Sequence, residues 1–172
     1  MVSRRRDTVA VRVAGPDEGG AVGRLTERVY RAEELVEDDY AAELRDGESR
    51  VRTATVLVAE LDGRLVGAVT AAPPGTPWAE IARPDELEVR MLAVDGDARR
   101  QGVAAALMDG VEDLAPALGL AAVVLSTQPE MTAAHRLYEG WGYGRAPDRD
   151  WQVGPYRLLI YRKELVGPFP PA

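Results

Sequence analysis

Apolar residues alternate with polar or small ones at Val9, Val11 and Val13, the period of a half-buried strand, and Gly15-Pro16 ends the run. From about Ala21 to Val36 the spacing becomes helical, with Val22, Leu25, Val29 and Leu35 apolar; a second short helix is expected near Asp38 to Leu44, closed by Asp46-Gly47. Ala54–Glu60 and Leu65–Thr70 read as two strands joined by Asp62-Gly63-Arg64, a hairpin turn signal. Pro73-Pro74-Gly75-Thr76-Pro77 predicts an irregular loop. Leu87–Val94 predicts a strong strand. Arg100 to about Leu118 predicts a helix, with Val103, Leu107, Val111, Leu114 and Leu118 at three- and four-residue steps and Pro116 ending or kinking its last turn. Ala121–Leu125 is wholly apolar, as in a strand covered on both faces. Thr127-Gln128-Pro129-Glu130 has the form of a capping box opening a helix that ends near Gly140 or Gly142. Tyr156–Arg162 predicts a last strand, and the end of the chain, with Pro168-Phe169-Pro170-Pro171, a frayed tail over 164–172.

This order places a strand-helix-strand unit from Leu87 to Leu125, which forms a right-handed parallel crossover, after a hairpin that makes the sheet mixed. With no repeat and no candidate linker, residues 1–172 are expected to form one α/β domain. Hydrophobic residues at 46% and charged residues at 28% are ordinary for a globular chain. A net charge of -7 argues against a grip on the phosphates of nucleic acid and suits a cationic or amine substrate through steering, if it is not simple acidity. The absence of cysteine excludes disulfides, thiolate metal sites and a Cys nucleophile, and the single histidine, His135, excludes a multi-histidine metal centre. Arg4, Arg5 and Arg6 have the charge of a signal's start, but Asp7, Arg12, Asp17 and Glu18 interrupt any apolar stretch behind them. No segment approaches the roughly 20 apolar residues that span a bilayer. A cytoplasmic protein without a membrane partner is the expectation.

The informative stretch runs from Leu92-Ala93-Val94 through Asp95-Gly96-Asp97-Ala98 to Arg99-Arg100-Gln101-Gly102-Val103-Ala104-Ala105. A strand ends and a helix begins with basic and small residues. The first N–H groups of a helix have no internal acceptor, and its dipole adds partial positive charge, so the start of this one is an anion site. Gly102 and Ala104 let a pyrophosphate approach the amides, and Arg99 and Arg100 add charge and forked donors. The alternative is an ordinary strand-to-helix turn whose glycine packs on the sheet.

Arg99-x-x-Gly102-x-Ala104, five residues beyond Leu92-Ala93-Val94, resembles the acetyl-coenzyme A signature of the GNAT superfamily of N-acetyltransferases. Ala134-x-x-x-Tyr138 with Gly142-Tyr143 resembles that family's later motif, and the likeness covers the chain from about Val51 to Arg162. The resemblance implies a mixed, mostly antiparallel central sheet with helices on both faces. It also implies acetyl-coenzyme A as co-substrate, no metal, an amine acceptor and, as in many relatives, a homodimer. Amides from Arg100, Gln101, Gly102, Val103, Ala104 and Ala105, with Arg99, would hold the pyrophosphate. The Leu92, Ala93, Val94 edge would pair with the peptide-like pantetheine arm, and the Leu92 N–H would face the thioester carbonyl. The sulfur would lie where this strand splays from Ala121–Leu125.

Attack needs a deprotonated amine, and Glu88, on the strand before Leu92, is the candidate general base. Alternation would put Glu88, Arg90, Leu92 and Val94 on one face, so a structural Glu88–Arg90 pair is the competing reading. Glu86 and Glu130 are weaker candidates. Some relatives use a carboxylate just past the next strand, where this chain has Ser126 and Thr127, which leaves Glu88 or a water relay. Tyr138 would protonate the departing thiolate; its competing reading is a core tyrosine on a helix face that also carries Ala134 and Leu137. Met131 stands where relatives often have a cofactor-binding asparagine, so that contact is lost or replaced. His135 reads as a surface or capping residue. Tyr30, Tyr40, Trp78 and Trp151 are candidates for an acceptor pocket, or else patch a core with a single Phe. A coenzyme A-binding sensor without catalysis is the alternative function. A nucleotide-binding oxidoreductase lacks its spaced glycines, and no P-loop is present.

Overall fold

The computed structural model describes residues 8–34 and 37–165. Leu35, the arginines at 4–6 and the proline-rich end lie outside the described residues. The order is β1 (Ala10–Val13), α1 (Gly19–Ala32), α2 (Asp38–Arg45), α3 (Gly47–Thr53), β2 (Thr55–Leu61), β3 (Arg64–Ala72), β4 (Glu86–Val94), α4 (Val103–Ala117), β5 (Ala122–Thr127), α5 (Thr132–Gly140), β6 (Gly144–Arg145), β7 (Trp151–Val153) and β8 (Tyr156–Glu164). The strands hydrogen-bond in the order β1-β2-β3-β4-β5-β8-β6, with β7 on β8. The β4–β5 pair is parallel; β1–β2, β2–β3, β5–β8, β6–β8 and β7–β8 are antiparallel. The sheet is therefore mixed and mostly antiparallel, as expected. The chain divides into two compact units, residues 1–71 with 91–111 and residues 72–90 with 112–172.

In the first unit, β2 and β3 close on Asp62-Gly63, both at positive φ (52° and 75°). That is the backbone of the tight hairpin turn whose twist matches its strands. Val58 faces Ala68 across the ladder, and with Val56 and Ala93 they form a core with Val22, Leu25 and Val29 of α1. The neighbouring residues Leu57 and Gly67 point to the opposite face, where α4 lies: Leu57 meets Gly110, while Val103 and Leu107 crowd Gly67. Helices thus cover both faces of this part of the sheet. Each fully buried side chain of the Leu25 or Leu107 kind contributes roughly 1.5–3 kcal/mol.

Several boundaries differ from the sequence reading. Asp46-Gly47 does not stop the helical run: the Asp46 side chain accepts from the Ser49 N–H at 3.1 Å and caps a further helix, α3. Its Gly-Glu-Ser-Arg-Val-Arg-Thr sequence has too few apolar positions to show a period. The crossover helix begins at Val103 rather than Arg100, after a 3-10 turn at Gly96–Ala98. Pro116 falls in its last turn, as expected.

In the second unit, β5 runs on to Thr127, so this residue is spent on the ladder and pairs with Leu159. The capping box is overturned. Helix α5 starts five residues later at Thr132, behind Met131, without a side-chain cap. Gly142, at φ +91°, ends it, and the Tyr143 N–H reaches back to the Tyr138 carbonyl at 2.9 Å. Leu137 is 51% exposed and does not meet the core, whereas Tyr138 does.

Candidate active site

In the first unit β4 ends in Met91–Val94, and the Asp95 N–H is tied to the Val66 carbonyl of β3 at 2.8 Å. The turn that follows is fixed by charge. Arg28 of α1 holds Asp95 at 2.9 Å, Arg64 holds Asp97 at 3.0 Å, and Arg99 pairs with Glu33 at the end of α1. Arg99 is thus engaged with a carboxylate, while Arg100 is exposed. Arg100 and Gly102 both take left-handed backbone, φ +61° and +78°. That path turns the chain into α4, and the Gly102 carbonyl accepts its first bond, from the Ala106 N–H. The amides of the first turn have no acceptor within the helix. Nothing lies within 4 Å of where a Gly102 side chain would begin. Glycine is needed here for its φ and for open access to the amides, not for packing. Gly67 has the other role: a Cβ there would come within 2.8 Å of Val103 and 3.1 Å of Leu107, so its absence lets the first turn of α4 settle on β3.

Met91 has φ +55° in the middle of β4. Left-handed backbone in a buried, non-glycine strand residue is strained, and such strain gathers at functional sites. Beyond it Leu92 and Val94 are half-buried, while Met91 and Ala93 are buried. The β4–β5 ladder also ends here: its last pair is Val89–Leu125, although both strands continue.

In the second unit the same strand presents Glu86, Glu88 and Arg90 at alternate positions, all before Met91. Glu88 is 2% exposed, and its Oε2 accepts the N–H groups of Glu80, Ile81 and Ala82 at 2.7, 2.9 and 3.1 Å. Burial raises its pKa above the usual carboxylate value, opposed by the Ile81, Glu80 and Ala82 amides and by the charge of Arg90. Arg90 donates to the Trp78 carbonyl at 3.2 Å, pairs with Glu80 at 2.6 Å, and lies 5.6 Å from the centroid of the Trp78 ring. Trp78, one of the aromatic candidates, therefore sits beside Arg90.

Glu86 has a different environment. Arg149 grips both its oxygens, at 2.7 and 2.9 Å, Arg162 donates at 2.7 Å and the Arg83 N–H at 2.9 Å. Burial would raise this carboxyl, but Arg149, the Arg83 amide and Arg162 outweigh it and bring it to about 2. A group so low is a poor base, and Glu130 is exposed in the turn before α5. Sequence reasoning missed Arg149 and Arg162; the only trace was an acid, Glu86, on a strand otherwise bound for the core.

Tyr138 is buried at 8% exposure among aromatic rings, with Trp141, Tyr143 and Tyr161 at 6.0, 6.2 and 6.0 Å between centroids. His135 reaches the Gln128 carbonyl at 3.0 Å and stacks 5.5 Å from Tyr161, closing the end of β5. The hydroxyl of Thr127 meets the Met131 sulfur at 3.6 Å. Trp151, half-buried at the start of β7, has its indole N–H buried without a hydrogen-bond partner among the described residues. Tyr30 packs on the α1 core of the first unit. Tyr40 is half-buried on α2. Among the described residues no cluster of three or more His, Asp or Glu could hold a metal ion, and no helix is long and apolar enough to cross a membrane.

The chain is similar to known proteins. N-acetylaspartate synthetase of Homo sapiens is 35% identical over 108 residues, 63% of this chain and 33% of that protein. The protein of the same name from Danio rerio is 36% identical over 95 residues, 54% of this chain and 30% of its own length. The chain thus spans about a third of the curated relatives it matches. PaiA N-acetyltransferase from Thermoplasma acidophilum, solved in complex with coenzyme A, superposes with TM-score 0.71 at 12% identity, over 91% of this chain and 99% of that one. An acetyltransferase described as of the GNAT family from Desulfovibrio desulfuricans gives TM-score 0.71 at 19% identity, over 92% and 100%. The model of the acetyltransferase (GNAT) family matches residues 22–143, and the chain belongs to that family.

Proposed function

We propose that this chain moves the acetyl group of acetyl-coenzyme A directly to an amine, with Glu88 as base and Tyr138 as acid. The observation that carries the reading is the turn into α4. Left-handed Arg100 and Gly102 deliver the chain to a helix start whose amides are open to an anion, with room above Gly102 for a diphosphate. The residues fit that group. Arg100, Gln101, Gly102, Val103, Ala104 and Ala105 supply the amides, with the Arg99 charge nearby, and Leu92, Ala93 and Val94 a strand edge for the pantetheine arm. Acetyl-coenzyme A supplies the acyl group activated as a thioester. The Leu92 N–H, just past the strained Met91, polarises the carbonyl. Glu88, raised by burial, accepts the ammonium proton directly or through water. Tyr138 holds a proton for the departing sulfur.

The name of the curated relatives makes aspartate the first amine to try, and Arg90 is a cation that its carboxylate could meet. The net charge of -7 favours a cationic amine instead. Trp78 and Trp151 supply ring surface for either. The test is release of free thiol from acetyl-coenzyme A with aspartate, a polyamine and a peptide amine in turn. Turnover with one of these that is lost in Glu88→Gln supports the reading; turnover unchanged in that variant, at every pH, removes Glu88 as base.

A second reading has one observation in its favour. Three loop amides on one oxygen of Glu88 are also what a purely structural carboxylate would show. A binding module without catalysis would bind acetyl-coenzyme A and release no thiol with any amine.

A further inference from the structure

The segment 80–83 between β3 and β4 has no regular structure, yet every one of its backbone N–H groups is bonded. Its four consecutive N–H groups go to two carboxylates of β4: those of Glu80, Ile81 and Ala82 to Glu88, that of Arg83 to Glu86. The Ile81 carbonyl goes to Arg149, whose Nη2 donates to it at 2.8 Å and to Glu86 at 2.9 Å. Arg149 comes from the turn 147–149 before β7, 63 residues beyond Glu86, and its side chain is 11% exposed against 1% for Glu86. A planar fork grips both oxygens of a carboxylate while one of its nitrogens also reaches a carbonyl; an ammonium has three donors but, as a point charge, no fork to match that set.

We propose that Arg149 is a positioning residue for the acetyl transfer: by bridging Glu86 and the Ile81 carbonyl it holds segment 80–83 so that the three amides keep the Glu88 carboxylate in place. The inference rests on Glu88 being the base. Without Arg149, one clamp on the segment is lost and Glu86 keeps only Arg162 and the Arg83 amide. The three amides then swing on the Glu88 oxygen alone, and a base displaced by a fraction of an ångström loses its line to the amine. The same displacement withdraws donors that favour the charged carboxylate, so the acid limb of the rate profile moves to higher pH. The charge acting on Glu88 is that of Arg90 on its own strand, which Glu80 of the loop also pairs; Arg149 of the turn and Arg162 of β8 are taken up by Glu86. Arg149→Lys keeps the charge and loses the fork, so it separates positioning from bare charge.

The experiment measures three things on wild type, Arg149→Ala and Arg149→Lys: hydrogen exchange at the amides of residues 80–82, acetyl-coenzyme A affinity by calorimetry, and kcat and KM against pH. Faster exchange at those amides is expected in both variants. So are unchanged cofactor affinity, a kcat lower by about tenfold or more, and an acid limb moved upward. Exchange unchanged at 80–82 in a folded variant overturns the clamp whatever the activity. Faster exchange with kcat and the acid limb unmoved overturns the positioning role, and so does an Arg149→Lys enzyme that behaves as wild type while Arg149→Ala does not. A folded wild type that never releases thiol would sink Glu88 as base, and the positioning role with it, while the exchange data still decide the clamp.

Discussion

Glu88 sits under two opposed influences. Burial pushes its proton affinity up; three amides and the charge of Arg90 pull it down. The balance leaves it above an ordinary carboxylate, the direction a base needs to take a proton from an ammonium. Glu88→Gln should lower kcat by about 10²–10⁴-fold, the usual share of general-base catalysis, and abolish the acid limb of the pH profile. Tyr138→Phe should lower kcat while leaving acetyl-coenzyme A affinity unchanged by calorimetry; equal loss in both would mark Tyr138 as packing against its three aromatic neighbours. At this scale the sequence was legible where a local pattern marks a turn, as Asp95 to Gly102 does between β4 and α4. It was illegible where partners are distant. Glu86 and Arg162 stand 76 residues apart, and nothing in the local context of either points to the other. Nor does a period-two pattern reveal the positive φ of Met91.

At the scale of elements, the start of α4 is placed by β3. Gly67 lets Val103 and Leu107 come close, so Gly67→Val would drive the first turn of the helix away from the strand. Its expected outcome is a destabilisation of about 1–3 kcal/mol, the usual cost of overpacking, together with weakened acetyl-coenzyme A binding. Denaturant midpoints and calorimetry check the two halves. The hairpin, β4, α4 and β5 were legible because each carries its own periodicity or turn residues. The short helix α3 was not, since its Arg50 is buried by donating to the Glu43 and Leu44 carbonyls rather than by an apolar period. The capping box failed for a related reason: Thr127 could cap a helix or extend a strand, and pairing with Leu159 of β8, far along the chain, decided for the strand.

For the molecule as a whole, the mixed, mostly antiparallel sheet followed from the order of elements and from family resemblance, while its ion-pair clusters had to be seen folded. They bear on stability. Glu86 falls from a usual value of 4.5 to about 2, so its contribution is present above pH 4.5 and is lost as pH falls toward 2. In Glu86→Gln the dependence of unfolding free energy on pH between 4.5 and 2 should be shallower than in wild type. Denaturant titrations at stepped pH measure it. The account as a whole depends on open amides at the start of α4 receiving a diphosphate, and one measurement reaches that claim directly. It is calorimetric titration of acetyl-coenzyme A into the folded wild type and into Gly102→Ala, whose backbone strain costs roughly 1–2 kcal/mol of stability. The account predicts saturable binding to one site in wild type and an affinity weaker by about tenfold or more in a still-folded variant, as expected for a charge-assisted hydrogen bond lost from the diphosphate. Absence of saturation in folded wild type, or equal affinity in the two proteins, would contradict it.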